Sequence, residues 1–309
     1  MAVFVYLFLS LLVFDAVRLV LRLCNKNILT PHFNAAGIGA AIGLCVFLVI
    51  YGALNARSIY TVNYNVALPP GRAGNIRVAL ISDLHISAIV DRAWVARIVE
   101  TVNSVQPDMV CIAGDIFDGN PDITKDLPGV ILELKRINAA LGVYACLGNH
   151  DVDRINFSGG GGNQRIINIL REAGIVPLDD EVTPVGENFL IAGRRDASPI
   201  GMNSSRKSAG ELLGGLDRGR ILIALDHQPT QFAQIENAGA DILFCGHSHR
   251  GQLFPFNLVT RVIFKKAGGT HYGHWQGKTM QAVVTSGAGV WGMPLRVATH
   301  SEVAVIDIE

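Results

Sequence analysis

Two long apolar stretches open the chain. Behind them, short apolar runs alternate with polar loops and amphipathic segments. Residues 3–23 are interrupted by only three charged side chains, Asp15, Arg18 and Arg22, and residues 35–54 carry no charge at all. Each stretch is close to the roughly 20 residues that a helix needs to cross a hydrocarbon layer about 30 Å thick. Residues 1–57 are therefore expected to form a membrane anchor of two transmembrane helices. Gly37, Gly39, Ala40, Ala41 and Gly43 would let a neighbouring helix approach closely. Asp15 and Arg18, three apart, are placed to pair on one helix face. A signal peptide fits the first stretch poorly, because no basic segment precedes it and no small-x-small site follows. Two buried helices of a soluble protein remain the alternative.

Residues 59–66 alternate and are rich in β-branched types, the pattern of a strand, and Pro69-Pro70-Gly71 ends it. Residues 58–74 thus read as a linker with an edge strand, and residues 75–309 as the main domain. In that domain one order recurs: apolar strand, polar loop, helix. Strands are predicted at 76–82, 109–113, 142–147, 188–193, 221–225, 241–245, 281–286 and 302–308. Helices are predicted at 91–104, with Asp91 as N-cap and Pro107 as stop, and at 126–140, 164–172 and 231–238. This alternation predicts an α/β layered domain whose loops gather at one edge of the sheets.

The loops carry the chemistry. Asp83-Leu84-His85, Gly114-Asp115, Gly148-Asn149-His150-Asp151, His227 and Gly246-His247-Ser248-His249 each fall where a strand-like run ends. Taken singly they are ordinary, since a histidine is usually a core or surface residue and an aspartate at a strand end commonly caps. Together, hard carboxylate oxygen, one amide oxygen and imidazole nitrogen suit a pair of divalent ions better than one structural zinc. A carboxylate with two oxygens can bridge two cations, and a two-metal centre is built to hydrolyse phosphate esters. Glycine before Asp115, Asn149 and His247 fits a tight turn with backbone close to the ions. His247 and His249, two apart, could serve adjacent ions.

Composition narrows the partners. Half the residues are hydrophobic and the formal net charge is zero. Without a clustered basic stretch the chain lacks the field that a nucleic-acid backbone demands, so nucleic-acid binding is not expected. Cys24, Cys45, Cys111, Cys146 and Cys245 form no CxxC pair and give no disulfide framework; those in apolar runs read as small core residues. Arg22 and Lys26 lie between the two apolar stretches, with Arg18 just inside the first. The positive-inside rule puts that connection in the cytoplasm and the main domain outside it.

The five loop blocks, in this order, resemble the calcineurin-like metallophosphoesterases, whose signature runs DxH, GD, GNH(D), H, GHxH. Here the blocks span Asp83 to His249. The resemblance implies a four-layer α/β/β/α sandwich with a dinuclear site at the sheet edge. One ion would take Asp83, His85, Asp115 and His249, and the other Asp115, Asn149, His227 and His247, with Asp115 bridging. It also implies that His150 acts as general acid, with Asp151 orienting it. His227-Gln228-Pro229, Gly246 through Gln252, Gly287-Ala288-Gly289-Val290-Trp291-Gly292 and Pro294-Leu295-Arg296 look like a bacterial membrane-associated branch. That branch is similar to UDP-2,3-diacylglucosamine pyrophosphatases and general phosphodiesterases. Two departures stand out: Arg250 where glycine is commoner, making it a candidate substrate contact, and the loop Gly159-Gly160-Gly161-Gly162.

The expectation is therefore a dinuclear phosphodiesterase or pyrophosphatase in the bacterial inner membrane. Manganese is the expected metal, with zinc, iron or cobalt also compatible. Its partners would be the lipid bilayer and a phosphodiester or pyrophosphate substrate, lipid-linked or a nucleotide sugar. An outward-facing domain would favour cell-wall polymers, phospholipid heads or nucleotides. The alternatives are a phosphoprotein or phosphomonoester phosphatase on the same fold and a non-catalytic membrane scaffold.

Overall fold

The computed structural model describes residues 2–24, 30–69, 75–152, 162–197 and 206–309. Two helices come first, α1 (Ala2–Leu23) and α2 (Pro31–Arg57). Thr30 caps α2 by accepting the Phe33 N–H at 3.2 Å, and Pro31 occupies the first turn, where its missing N–H is harmless. Few of their residues are buried, and Phe4, Phe8, Val13, Phe47 and Leu54 are among many apolar side chains left exposed. Both helices are long and apolar enough to cross a membrane. Arg18 and Asp15 do pair, at 3.0 Å. Of the three glycines, Gly37 is the one that admits the neighbour: a methyl there would strike the Phe14 ring of α1, whereas Gly39 and Gly43 face open space; Ala41, four residues after Gly37, is buried as well. The reason is angular, because residues two and six further along a helix point away from a given contact.

The rest of the chain builds two six-stranded sheets. The first holds β1 (Ile59–Val66), β2 (Ile76–Ile81), β3 (Met109–Ala113), β4 (Val143–Cys146), β5 (Val176–Pro177) and the last strand of the chain. The second holds β6 (Glu181–Val185), β7 (Phe189–Gly193), β8 (Ile221–Leu225), β9 (Ile242–Cys245), β10 (Gly273–Gln276) and β11 (Gln281–Val284). The last strand, β12 (Ser301–Ile308), inserts between β1 and β2, parallel to the first and antiparallel to the second. Strands β2 to β5 run parallel, as do β7, β8, β9 and β11.

These strands read as continuous apolar runs because both faces are buried. Val78, Leu80, Met109 and Cys111 point between the sheets to meet Ile223, Leu225, Ile242 and Phe244. Ala79, Ile81, Val110 and Ile112 point the other way, onto α3 (Arg92–Ser104), α4 (Leu127–Leu134) and a later helix, α6 (Gly162–Glu172), which follows the single turn α5 (Asn149–Val152). On the far side, Leu222, Ala224, Leu243 and Cys245 pack with α7 (Ala209–Leu213) and α8 (Phe232–Ala238). The result is the expected α/β/β/α stack. Cys111, Cys146 and Cys245 are buried in it, as free thiols.

The structure departs from expectation in several elements. The helix predicted over 126–140 stops at Leu134. Asn103 of α3 takes the Arg136 carbonyl and the Asn138 N–H with its side chain, at 2.8 and 2.9 Å, and so diverts the backbone from helical pairing. Strands β5, β6 and β10 and the helix α9 (Phe256–Lys266) had no sequence signal strong enough to place them. The glycine loop at 159–161 lies outside the described residues.

Candidate metal centre

The ligand-bearing loops leave the carboxyl ends of β2, β3, β4, β8 and β9 and meet over one rim of the two sheets, where open α/β sheets form crevices. Asp83, His85, Asp115, His247 and His249 all adopt left-handed backbone, with φ between 47° and 68°. Such conformations are strained for residues with side chains and gather at functional sites. The glycines make the crossing possible. A methyl on Gly148 would stand 2.2 Å from Asp115 Oδ1, and one on Gly246 would stand 2.1 Å from Ser82 Oγ and 2.5 Å from Asp83 Oδ2. Gly114 sits at φ 81°, a conformation open to glycine.

Two groups of ligand atoms result. In one, His249 Nε2 lies 3.4 Å from Asp83 Oδ1 and 3.1 Å from His85 Nε2. In the other, His227 Nε2 lies 3.1 Å from both Asp115 Oδ2 and His247 Nδ1. Asp115 joins them, since the same Oδ2 is 3.7 Å from His85 Nε2. Thus Asp83, His85, Asp115, His227, His247 and His249 converge. Asn149, at the end of β4, has a buried Oδ1 with no hydrogen-bond partner among the described residues.

These residues fit a pair of cations. His227 Nδ1 faces the Ala113 carbonyl oxygen at 2.7 Å and so donates its proton there, which leaves Nε2 facing Asp115 Oδ2 and His247 Nδ1. Burial opposes charge on the ring, but Asp115 outweighs it and raises the His227 pKa well above the imidazole norm, so a cation at Nε2 would take the place of a proton there. Atoms meeting at such distances need a proton or a cation between them, and the donor set of carboxylate oxygen and imidazole nitrogen suits either. Fixing one ring nitrogen on a carbonyl so that the other can ligate is the usual support of a metal-bound histidine. The uncompensated Asn149 oxygen makes the same demand.

Charge around Asp115 follows. Burial alone would raise its pKa, but the His227, His85 and His150 rings outweigh burial and hold it below the usual carboxylate range. For His249, burial leads and the nearby His85 and Arg296 add to it, so its pKa falls well below the imidazole norm and the ring is neutral, as a ligand must be.

One assignment changes. Asp151 does not orient His150. Its carboxylate is fully buried and accepts the backbone N–H groups of Ile116, Phe117 and Gly148 at 2.9–3.0 Å, stitching the β3 loop to the β4 loop. The residue that does hold His150 is Asp118, whose Oδ1 lies 3.0 Å from His150 Nδ1 and 3.5 Å from His85 Nδ1. Sequence reasoning missed Asp118, although its place three residues after Asp115 in Gly114-Asp115-Ile116-Phe117-Asp118 was a usable signal. Burial opposes charge on His150, yet the Asp118 bond and the Asp115 charge leave its pKa raised. The guanidinium of Arg250 lies over the Tyr272 ring, 4.1 Å from its centre, a cation–π contact that turns it toward that ring.

Arg296 was also missed as a support. It is fully buried and donates to the carbonyls of Ser286, Gly289 and His300 at 2.7–2.9 Å, fixing the loop behind Asp83 and His249.

Comparison with known proteins agrees with this geometry. A family model described as calcineurin-like phosphoesterase matches residues 76–251. An uncharacterized metallophosphoesterase of Campylobacter jejuni is 28% identical over 98% of this chain and 78% of its own length. A transmembrane protein with metallophosphoesterase domain from Danio rerio is 27% identical over 99% of this chain and 71% of its own. Among solved structures, a 5'-nucleotidase precursor from Thermus thermophilus aligns over 76% of this chain and 55% of that one, with 15% identity and a TM-score of 0.43, too loose a likeness to carry an argument.

Proposed function

Because the chain belongs to the calcineurin-like phosphoesterase family, we propose that it hydrolyses phosphodiester or pyrophosphate bonds at a membrane, using two divalent ions. Asp83, His85, Asp115 and His249 would hold one ion, and Asp115, Asn149, His227 and His247 the other. The observation that carries the reading is the His227 ring: its Nδ1 is committed to Ala113 while its Nε2 faces Asp115 and His247 at 3.1 Å. The chemistry such an ion pair supplies is Lewis acidity, which polarises phosphoryl oxygens and acidifies water for attack on phosphorus.

The chain's own residues handle the proton. Asp118 accepts the Nδ1–H of His150, so the opposite nitrogen, Nε2, is left to carry a proton to the departing oxygen. The raised pKa of His150 keeps that proton available near neutrality. The His150 ring stands edge-on to His85, with centroids 4.8 Å apart, so the acid is held beside the ligands. Trp291 flanks it at 6.1 Å.

Manganese is the metal we favour, since mixed oxygen and nitrogen donors accept it. The exposed apolar surface of α1 and α2 is the reason to read both as membrane-spanning, and the name of the Danio rerio relative supports this. Arg18 and Arg22 near the end of α1, with Lys26 beyond it, favour a main domain outside the cytoplasm. A lipid-linked phosphodiester or pyrophosphate is the substrate class that joins the anchor to the site.

The purified full chain with Mn²⁺ is expected to cleave bis-p-nitrophenyl phosphate, and His150→Gln to lower kcat by about 10²–10⁴-fold. Hydrolysis that survives EDTA would refute the ion-dependent scheme. Faster turnover of phosphopeptides than of diesters and pyrophosphates would move the reading to a phosphoprotein phosphatase.

A further inference from the structure

Exposed apolar surface is not confined to α1 and α2. The helix α9 follows the His249–Gly251 turn, and none of its residues is buried. Phe256, Leu258, Val259, Val262 and Ile263 are each between 45% and 55% exposed. At about 100° per residue these five fall within one arc of roughly 160°. Asn257, Thr260 and Phe264 lie on the opposite side, half-buried, and the Phe264 ring meets the His247 ring edge-on at 5.9 Å. Lys265 borders the apolar arc, Arg261 stands about 60° outside it, and Lys266, in the last turn, falls within it; all three are exposed. Phe254 and Trp291 are exposed too and are tied to the loops that launch α9: Phe254 N–H donates to Val297 O at 3.0 Å, and Gln252 Nε2 donates to Trp291 O at 3.0 Å.

The covering phase is indicated by what these loops are bolted to. Arg296 N–H donates to Gly52 O of α2 at 2.9 Å, and Asn55 Nδ2 donates to the Arg296 and Thr299 carbonyls at 2.9 and 2.8 Å. Leu253, Leu295 and Val297 pack in one cluster with Tyr6 and Cys45 of the two N-terminal helices. Gly52 lies five residues before Arg57, about 8 Å from the end of α2 by helical rise. The loops that launch α9 therefore sit beside the end of a helix read as spanning. Apolar residues on one face, with basic residues beside it and at its C-terminal end whose long stems can reach the surface, are the features of a helix lying in a membrane surface.

We propose that α9, with Phe254 and Trp291, lies in the surface of the bilayer that α1 and α2 span. Its apolar arc enters the acyl boundary, and Arg261 and Lys265 meet anionic headgroups. The inference rests on the membrane reading above, not on the reaction. Through Phe264 and His247 it holds the metal centre at headgroup level, which favours a phosphodiester or pyrophosphate borne by a lipid.

The test uses the full chain with Cys24→Ser, reconstituted in phosphatidylcholine–phosphatidylglycerol vesicles with brominated acyl chains. Single fluorophores are placed at Phe47→Cys, Val262→Cys and Glu187→Cys. Labels at 47 and 262 are expected to be quenched about twofold or more, and the label at 187 not at all. Quenching at 47 but not at 262 overturns the proposal alone. Absence of quenching at both overturns the membrane reading with it. A 262 label shielded only as protein concentration rises also overturns it, in favour of a second copy of the chain. Val259→Glu with Val262→Glu should lower hydrolysis of a vesicle-borne lipid phosphodiester about tenfold or more, and leave bis-p-nitrophenyl phosphate turnover in detergent within about twofold. Equal losses on both substrates count against the proposal.

Discussion

The two sheets meet the same rim with different chemistry. The first delivers oxygen donors, Asp83 from β2, Asp115 from β3 and Asn149 from β4, with His85 as its one imidazole among the ligands. The second delivers nitrogen donors only, His227 from β8 and His247 and His249 from β9. The first sheet alone gathers His85, Asp118 and His150, but the two clusters that hold the expected ligands need both sheets. Those two take members from both sheets, Asp83 and His85 with His249, and Asp115 with His227 and His247. The supports divide likewise. On the first sheet, Asp151 fastens two loops through backbone N–H groups, while Ala113 O at the end of β3 orients a ring from the second sheet. The difference teaches that the metal centre is a property of the packed interface. The apolar layer of Leu80, Cys111, Leu225 and Phe244 determines whether oxygen and nitrogen donors arrive at a common distance.

The sharpest way to break the comparison is at the residue both clusters share. Asp115→Ala should lower kcat/KM for bis-p-nitrophenyl phosphate by about 10³-fold or more, with the circular dichroism spectrum retained, because it removes the one carboxylate facing His85 and His227 together. Metal analysis of that variant should show loss of bound ion.

A smaller effect is expected where the sheets touch without a donor. Gly246→Ala adds a methyl that would sit 2.5 Å from Asp83 Oδ2 and 2.1 Å from Ser82 Oγ. Overpacking of this kind costs about 1–3 kcal/mol, read as a lower midpoint in denaturant unfolding. Gly39→Ala in α2, with open space around it, should leave that midpoint unchanged or raised.

Asp118 lies on the first sheet's side and supports both a ligand and the acid. Asp118→Asn should lower activity by about 10–100-fold, the range typical of partners that orient ligands. The pH–rate profile should shift with it, since the bond to Asp118 is one of the forces raising the His150 pKa. A merely structural role would lower activity without moving the profile. Arg250→Ala should change kcat/KM least, by about twofold or less, since its guanidinium is engaged with Tyr272. A large rise in KM would place Arg250 on the substrate instead.

The chain's own order of residues determined nine of the twelve strands, all but β5, β6 and β10, and the loops that carry Asp83, His85, Asp115, Asn149, His227, His247 and His249. Those features are local: an apolar run shows its own length, and a ligand block lies within a few residues of the strand it follows. It also determined two helices too apolar for water. Only the tertiary structure decided what depends on distance between remote residues. It made Asp118 rather than Asp151 the partner of His150, put Arg296 behind the site and let Asn103 end α4 early. It also left the apolar arc of α9 facing outward beside the end of α2. Hydrogen bonds and burial are set by which surfaces meet, and that is settled when the two sheets and the N-terminal helices pack against one another.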